Sequence, residues 1–160
     1  MNFMNESKSK SVSAPDLTQR PPRSPRVTLG GFVMLPRILD KGRALLAGTL
    51  GQYRYSGIGL DRHFFNFTGL NHEALKAEIA KGCGDGELLA WVQENSKPAR
   101  QPWEIAAWSE YHLHRAPDSD AETLGEFAKA VGEHTTARED IKTWFDLIDL
   151  DDHCSFGGKA

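Results

Sequence analysis

Three arginines recur at a strict three-residue spacing in the sequence Asp16-Leu-Thr-Gln-Arg-Pro-Pro-Arg-Ser-Pro-Arg26. The prolines fix their own φ and push the residues before them out of the helical region, which predicts an extended or polyproline II segment. Because that conformation repeats every three residues, Arg20, Arg23 and Arg26 would lie along one edge, about 9 Å apart. A guanidinium presents a planar fork that matches phosphate and carboxylate groups. The pattern therefore indicates anion binding, with the anions supplied either by a ligand or by the protein's own carboxylates.

A second group of basic residues lies on the next predicted element. Residues 32–47 have the apolar spacing of a helix that ends at Gly48, and Leu45 and Leu46 are expected on its buried side. Gly30 and Gly31, directly before this helix, could add backbone N–H donors to an anion site. The predicted anion-binding residues are Arg20, Arg23, Arg26, Arg37, Lys41 and Arg43.

The other end of the chain carries the opposite charge. Residues 16–43 contain six Arg and Lys against two Asp, whereas residues 118–152 contain eleven Asp and Glu against three Arg and Lys. The two ends could attract each other within the fold, or the basic end could face an anionic partner. Nucleic acid is not the expected partner, because the chain as a whole is acidic, with an isoelectric point of about 6.1.

Carboxylates near the C-terminus raise the question of a metal ion. Asp146 and Asp149 are three residues apart on a predicted helix, so that oxygens and an imidazole could converge on a divalent cation. The spacing fails as an EF-hand, since Cys154 stands where that loop requires glycine. Arginines from residues 16–26 would neutralise these carboxylates equally well. We therefore expect no metal and no cofactor, and the alternative ligand set is Asp146, Asp149, Asp152 and His153.

Composition limits the class of protein. The chain has 160 residues, of which 39% are hydrophobic, and its two cysteines form neither a CxxC motif nor a disulfide framework. Its first residues are polar and Ser/Lys-rich, and no run is long enough to cross a bilayer. We predict a disordered tail at residues 1–15, one helical domain at residues 16–152, a frayed C-terminus at residues 153–160 and a cytoplasmic location.

Most of the remaining sequence is typical of helices. Capping residues and glycines delimit predicted helices at residues 61–67, 72–81, 86–95 and 102–114, and two more follow with apolar periodicity. Thr136 with Glu139 predicts a capping box before the last one. A short hairpin is allowed only near Gln52-Tyr55. The predicted fold is all-α, a compact bundle of about six helices with an extended N-terminal segment. The tryptophans are expected in the core and the histidines in solvent or at caps: Trp91, Trp103, Trp108, Trp144, His63, His72, His112, His114 and His134.

Several segments resemble one bacterial family, named only as domain of unknown function 5069. They are Asp16 to Arg26, Leu29-Gly-Gly31, Leu35 to Ala44, Gly69 and the turn Gly82-Cys-Gly-Asp-Gly86. The resemblance covers most of residues 16–152. It implies a small, soluble, single-domain bacterial protein and transfers no reaction, cofactor or catalytic residue. It also implies that residues 16–26 and the helix that follows form one unit.

These observations support three functions. The first is non-covalent binding of an anionic small molecule or a protein partner at the basic unit. The second is a metal-dependent or arginine-assisted hydrolase or transferase acting on a phosphorylated substrate, with Arg37 and Lys41 as charge clamps and an Asp as base or ligand. The third is a structural or interaction protein whose charges are satisfied internally. The identity of the groups that face the arginines distinguishes among them.

Overall fold

A computed structural model describes residues 12–117 and 121–160. Over these residues the chain forms seven helices and no strand, which confirms the all-α prediction. At residues 52–55 no hairpin forms. The helices are α1 (Leu35–Ala47), α2 (Asp61–Thr68), α3 (His72–Ile79), α4 (Asp85–Asn95), α5 (Pro102–His114), α6 (Ala121–Gly132) and α7 (Trp144–Ser155).

The central element is α1. Its first ten residues are all buried, charged and apolar alike, so this part of the helix is enclosed around its whole circumference. The apolar residues Leu35, Ile38 and Leu39 join a core that also receives side chains from α2, α3, α4, α5 and α7. Four charged residues are buried with them: Arg37, Asp40, Lys41 and Arg43. Since burying an unpaired charge is very costly, each of these requires a partner close by.

The two ends of α1 follow from local sequence. Gly30 and Gly31 both have positive φ, 57° and 83°, and form a tight turn in which Leu29 and Phe32 exchange two backbone hydrogen bonds of 3.0 Å. The helix therefore begins at Leu35 rather than at Phe32 as predicted. At the other end Gly48 is the C-cap, as predicted.

Two parts of the predicted helix pattern are wrong. Leu45 and Leu46 are 36% and 47% exposed, because the last turn of α1 projects from the core. Before α7 the capping box is formed by Thr143 and Asp146, not by Thr136 and Glu139. Asp146 consequently lies in the first turn of α7, where the helix dipole stabilises a negative charge instead of opposing it.

Residues 16–26, which we call the N-terminal segment, run alongside α1 in the opposite direction. The Leu17 N–H donates to the Thr49 carbonyl (2.9 Å), just beyond the C-terminus of α1. The Pro25 carbonyl accepts from the Met34 N–H (2.9 Å), just before its N-terminus. Residues 17–19 and 25–26 form turns, residue 20 is a bend, and residues 21–24 between them have no regular secondary structure. This course places the segment's arginines beside the buried charges of α1.

Candidate functional site

The predicted anion-binding residues lie in three separate places. Arg20, Arg23 and Arg43 lie near the N-terminus of α4, and Arg26 lies against α7. Arg37 and Lys41 line a cleft on another face of α1. The arginines of the N-terminal segment therefore do not act as one row. Gly30 and Gly31 are apart from all of them and line a groove beside α5.

Arg23 and Arg43 are held by carboxylates of α1 and α4. Arg23 donates to Asp40 through Nη2 (2.9 Å) and to Asp85 through Nη1 (2.7 Å). Arg43 Nη1 donates to the same Asp85 (2.8 Å), and its Nη2 donates to the Cys83 carbonyl (3.2 Å). Hydrogen bonds from Arg23 and Arg43 lower the pKa of Asp85. They outweigh burial, which would raise it. These contacts fasten the N-terminal segment to two helices.

Arg26 makes the corresponding connection to α7. Its Nε donates to Asp149 (3.0 Å), its Nη2 donates to Asp146, and Ser24 Oγ also donates to Asp149 (2.7 Å). Burial would raise the pKa of Asp146, but hydrogen bonds from the backbone of Thr143 and Lys142 outweigh it and lower that pKa. The two oppositely charged regions of the chain thus contact each other within one molecule, at a partly exposed site. Arg20 is exposed and forms no ion pair with the described residues.

Two buried ion pairs involve Arg37 and Lys41. Arg37 binds Asp152 through both nitrogens of its fork, at 2.7 and 3.1 Å, and the Tyr53 hydroxyl donates to the same carboxylate (2.8 Å). Lys41 pairs with Asp61, the first residue of α2. All four charged side chains are less than 10% exposed. Burial and the bond to Asp152 raise the pKa of Tyr53, so the phenol keeps its proton as a donor.

Beside these pairs lies a cleft of about 520 Å³, which we call the α1 cleft. Its apolar lining includes Met34, Leu60 and Ile148, and its cations are Arg37, Lys41 and Arg54, against the carboxylates Asp61 and Asp151. Arg54 is exposed and forms neither an ion pair nor a hydrogen bond within the described chain.

Backbone features also distinguish the α1 cleft. Met34 has φ 69°, a conformation that costs a non-glycine residue about 1 kcal/mol or more. Ile58, which also lines the cleft, is 62% exposed, and Gly59 next to it has φ 62°. Strained non-glycine residues such as Met34 concentrate at functional sites, whereas glycine adopts a positive φ without strain.

Three of the four alternative metal ligands, Asp146, Asp149 and His153, line one pocket together with Arg26, and Asp152 lies apart from them. Asp146 and Asp149 bind Arg26, whereas Asp152 is buried with Arg37. His153 contacts the Lys159 carbonyl through Nε2 (3.1 Å). Within residues 12–117 and 121–160, no group of three or more His, Cys, Asp or Glu side chains is placed to hold a metal ion.

Sequence reasoning missed a contact between two histidines, buried His112 and partly exposed His63. His112 is only 4% exposed, although we expected it in solvent or at a cap, and its ring lies 4.9 Å from that of His63 and 4.6 Å from Trp108. Burial lowers the pKa of His112 to about 4, and the charges of His63 and Arg115 act in the same direction. Burial lowers the pKa of His63 as well. The pair is therefore neutral at physiological pH.

The His112 environment predicts acid sensitivity. Between its ordinary pKa of 6.5 and the folded value of about 4, the unfolded state binds more protons than the native state. The free energy of unfolding should therefore fall by about 3 kcal/mol as the pH is lowered through this window. Urea unfolding of the wild type and of His112→Gln across this range measures the effect as a difference in slope. His114→Gln, a change on the exposed side of α5, serves as the control and should keep the wild-type slope. Parallel pH profiles for wild type and His112→Gln would contradict the assignment.

The fold and its ion pairs define a class of protein: an all-α domain built around a buried, charged helix, with its basic N-terminal segment bound to that helix. Comparison with protein families gives the particular group. The chain matches the family described as "Domain of unknown function (DUF5069)" over residues 19–154, and it belongs to that family. No curated protein matches the chain significantly. Among the described residues, no helix is long and apolar enough to cross a membrane.

Proposed function

We propose that the protein is a non-catalytic binding domain whose α1 cleft takes a small molecule with one anionic group, a phosphate or carboxylate, and an apolar part. The observation that carries the proposal is Arg54, an exposed cation at this cleft without a partner in the described chain. A guanidinium in this state is available to an outside anion.

Charge and size agree with this ligand class. Asp152 and Asp61 neutralise Arg37 and Lys41, so Arg54 is the cation of the lining that has no carboxylate partner within the described chain. Its volume of about 520 Å³ lies within the usual range of small-molecule sites, and Met34, Leu60 and Ile148 offer apolar contacts. Arg37 and Lys41 keep their own carboxylates and contribute a fixed, rigid wall. The predicted anion site thus shifts from the N-terminal segment to Arg54 and the neighbouring face of α1.

A thermal-shift screen with matched probes tests the proposal. Aryl and alkyl phosphates and carboxylates are compared with the corresponding alcohols and amides, which lack the charge. At a hundred times its dissociation constant, a ligand of the native state adds about 2.7 kcal/mol to the free energy of unfolding. That gain corresponds to a rise in Tm of about 5–10 °C for a domain of this size. We expect the charged members to raise Tm and the neutral members to leave it unchanged.

Reversing the charge of Arg54 tests whether the ligand binds in the α1 cleft. Arg54→Glu should weaken binding of any charged probe found in the screen at least about tenfold, because one charge-assisted hydrogen bond contributes about 1.5–3 kcal/mol. Arg62→Glu changes an exposed arginine on α2 that does not line the cleft, and it should bind like the wild type. If Arg54→Glu binds as well as Arg62→Glu, the ligand does not use this cleft.

The second candidate function is that of a structural or interaction protein whose charges are satisfied within the chain. Five of the six predicted anion-binding cations have carboxylate partners within the chain, which supports a role in stabilising the fold. If neither charged nor neutral probes shift Tm, this function is favoured. The hydrolase or transferase interpretation has less support, since Asp146 and Asp149 bind Arg26 and Asp152 is occupied by Arg37 and Tyr53.

A further inference from the structure

The α1 cleft holds two charges of opposite sign that do not pair with each other. The two buried ion pairs in its wall are complete in themselves. The remaining charged residues of the lining are Arg54 and Asp151, and they form no ion pair with each other. Their charges cancel, so an anion that reaches Arg54 also approaches a carboxylate.

Asp151 can accept a further hydrogen bond. Its Oδ1 lies 3.0 Å from Nε2 of His134, whereas its Oδ2 is bonded to no residue of the described chain. A carboxylate accepts several hydrogen bonds at once, so the contact with His134 leaves room for another donor. The side chain is 58% exposed and therefore accessible to a ligand.

Apolar surface lies next to this carboxylate. Ile148 and Asp151 are three residues apart on α7, so they lie on one face of that helix, and both line the cleft. Met34 and Leu60 line it as well. In an amino acid, the carbon that bears the ammonium also bears the side chain. A carboxylate with apolar surface beside it is therefore the arrangement that an amino acid with an apolar side chain requires.

We propose that the ligand of the α1 cleft is an amino acid with an apolar side chain, whose carboxylate binds Arg54 and whose ammonium binds Asp151. This inference rests on the proposed function and adds a second charge to the ligand. A simple phosphate or carboxylate would be attracted by Arg54 and repelled by Asp151. A zwitterion turns that repulsion into a second attraction. The cleft volume of about 520 Å³ is in the lower half of the usual range for small-molecule sites, as a ligand of this size requires.

Isothermal titration calorimetry at neutral pH with matched probes tests the assignment. L-phenylalanine carries both charges, 3-phenylpropanoate lacks the ammonium, and 2-phenylethylamine lacks the carboxylate. We expect phenylalanine to bind at least about tenfold more tightly than either of the other two, because each of them loses one charge-assisted hydrogen bond. L-leucine and 4-methylpentanoate give the same comparison with an aliphatic side chain.

Asp151→Asn tests the residue that would bind the ammonium. This change should abolish the preference for phenylalanine over 3-phenylpropanoate, because the asparagine carries no charge. A variant that only disturbed the fold would weaken both probes in parallel and keep their ratio. Asp140→Asn is the matched control, since Asp140 is a carboxylate of similar exposure, 64%, that does not line the cleft. It should keep the wild-type preference.

The outcomes separate this inference from the proposed function. If 3-phenylpropanoate binds the wild type as tightly as phenylalanine, or if Asp151→Asn keeps the wild-type preference, the ligand does not use Asp151. The amino acid assignment is then overturned while the anion site at Arg54 stands. The same holds if simple phosphates or carboxylates bind and the amino acids do not. If no probe of either kind binds, the proposed function fails and this inference fails with it.

Discussion

Replacing Asp152 by alanine is expected to lower the free energy of unfolding by about 3–5 kcal/mol, the usual cost of leaving one member of a buried ion pair without its partner. Arg37 and Asp152 are 9% and 8% exposed and share two hydrogen bonds, and Tyr53 donates a third to the carboxylate. The alanine variant would leave a guanidinium buried and a tyrosine hydroxyl without its acceptor. Urea or guanidinium unfolding at pH 7 measures the loss.

Asp151→Ala is the matched control for this experiment. It removes the neighbouring carboxylate, which is 58% exposed, and should change the free energy of unfolding by no more than about 0.5 kcal/mol. The double variant Arg37→Met/Asp152→Leu replaces the ion pair by apolar groups and should recover most of the stability that Asp152→Ala loses. If Asp152→Ala unfolds at the same denaturant concentration as Asp151→Ala, the pair does not stabilise the native state.

Gly69→Ala is expected to be the second most damaging change, with a loss of about 3 kcal/mol or more. Gly69 ends α2 with φ 69°, where any L-residue pays about 1 kcal/mol. A methyl group there would also lie 2.2 Å from the Lys97 carbonyl oxygen, which belongs to the backbone and cannot rotate away. The Lys97 N–H donates to the Thr68 carbonyl (2.8 Å), so relieving the clash would also disturb this connection.

Gly48→Ala isolates the steric part of the Gly69 effect. Gly48 occupies the same position after α1 with φ 73°, but an added methyl group would meet nothing within 4 Å. It should therefore cost only the conformational penalty of about 1 kcal/mol. Equal losses for the two alanine variants, measured by thermal or denaturant unfolding, would show that the contact with Lys97 is not limiting.

The sequence predicted those parts of the fold that depend on neighbouring residues. Gly48 and Gly69 ended their helices as expected, because a left-handed C-cap favours glycine regardless of tertiary structure. Leu45 and Trp103, which we expected to be buried, are exposed and could not be placed in the same way. Their exposure depends on where α1 leaves the core and on which face of α5 is covered, and helical periodicity alone does not determine either.

The candidate site was predictable in composition but not in geometry. Both Arg37 and Lys41 were identified, and the attraction between the basic and acidic ends of the chain was one of the two possibilities the charges allowed. The division of the six cations among three places depends on the path of the N-terminal segment along α1. Arg54 was missed since it lies in a loop with no charge pattern around it. Only the folded chain brings it to the same cleft as Arg37 and Lys41.

The antiparallel course of the N-terminal segment also has a consequence for the order of folding. Arg23 meets Asp85 across 62 positions of sequence, and Arg26 meets Asp146 across 120. During synthesis on the ribosome, Arg26 therefore has no carboxylate partner until α7 has been made. We expect a chain truncated before α7 to leave Arg26 and the buried Arg37 without carboxylates. Such long-range contacts slow folding, so a nascent chain of this protein depends on α7 to complete the packing of its N-terminal segment.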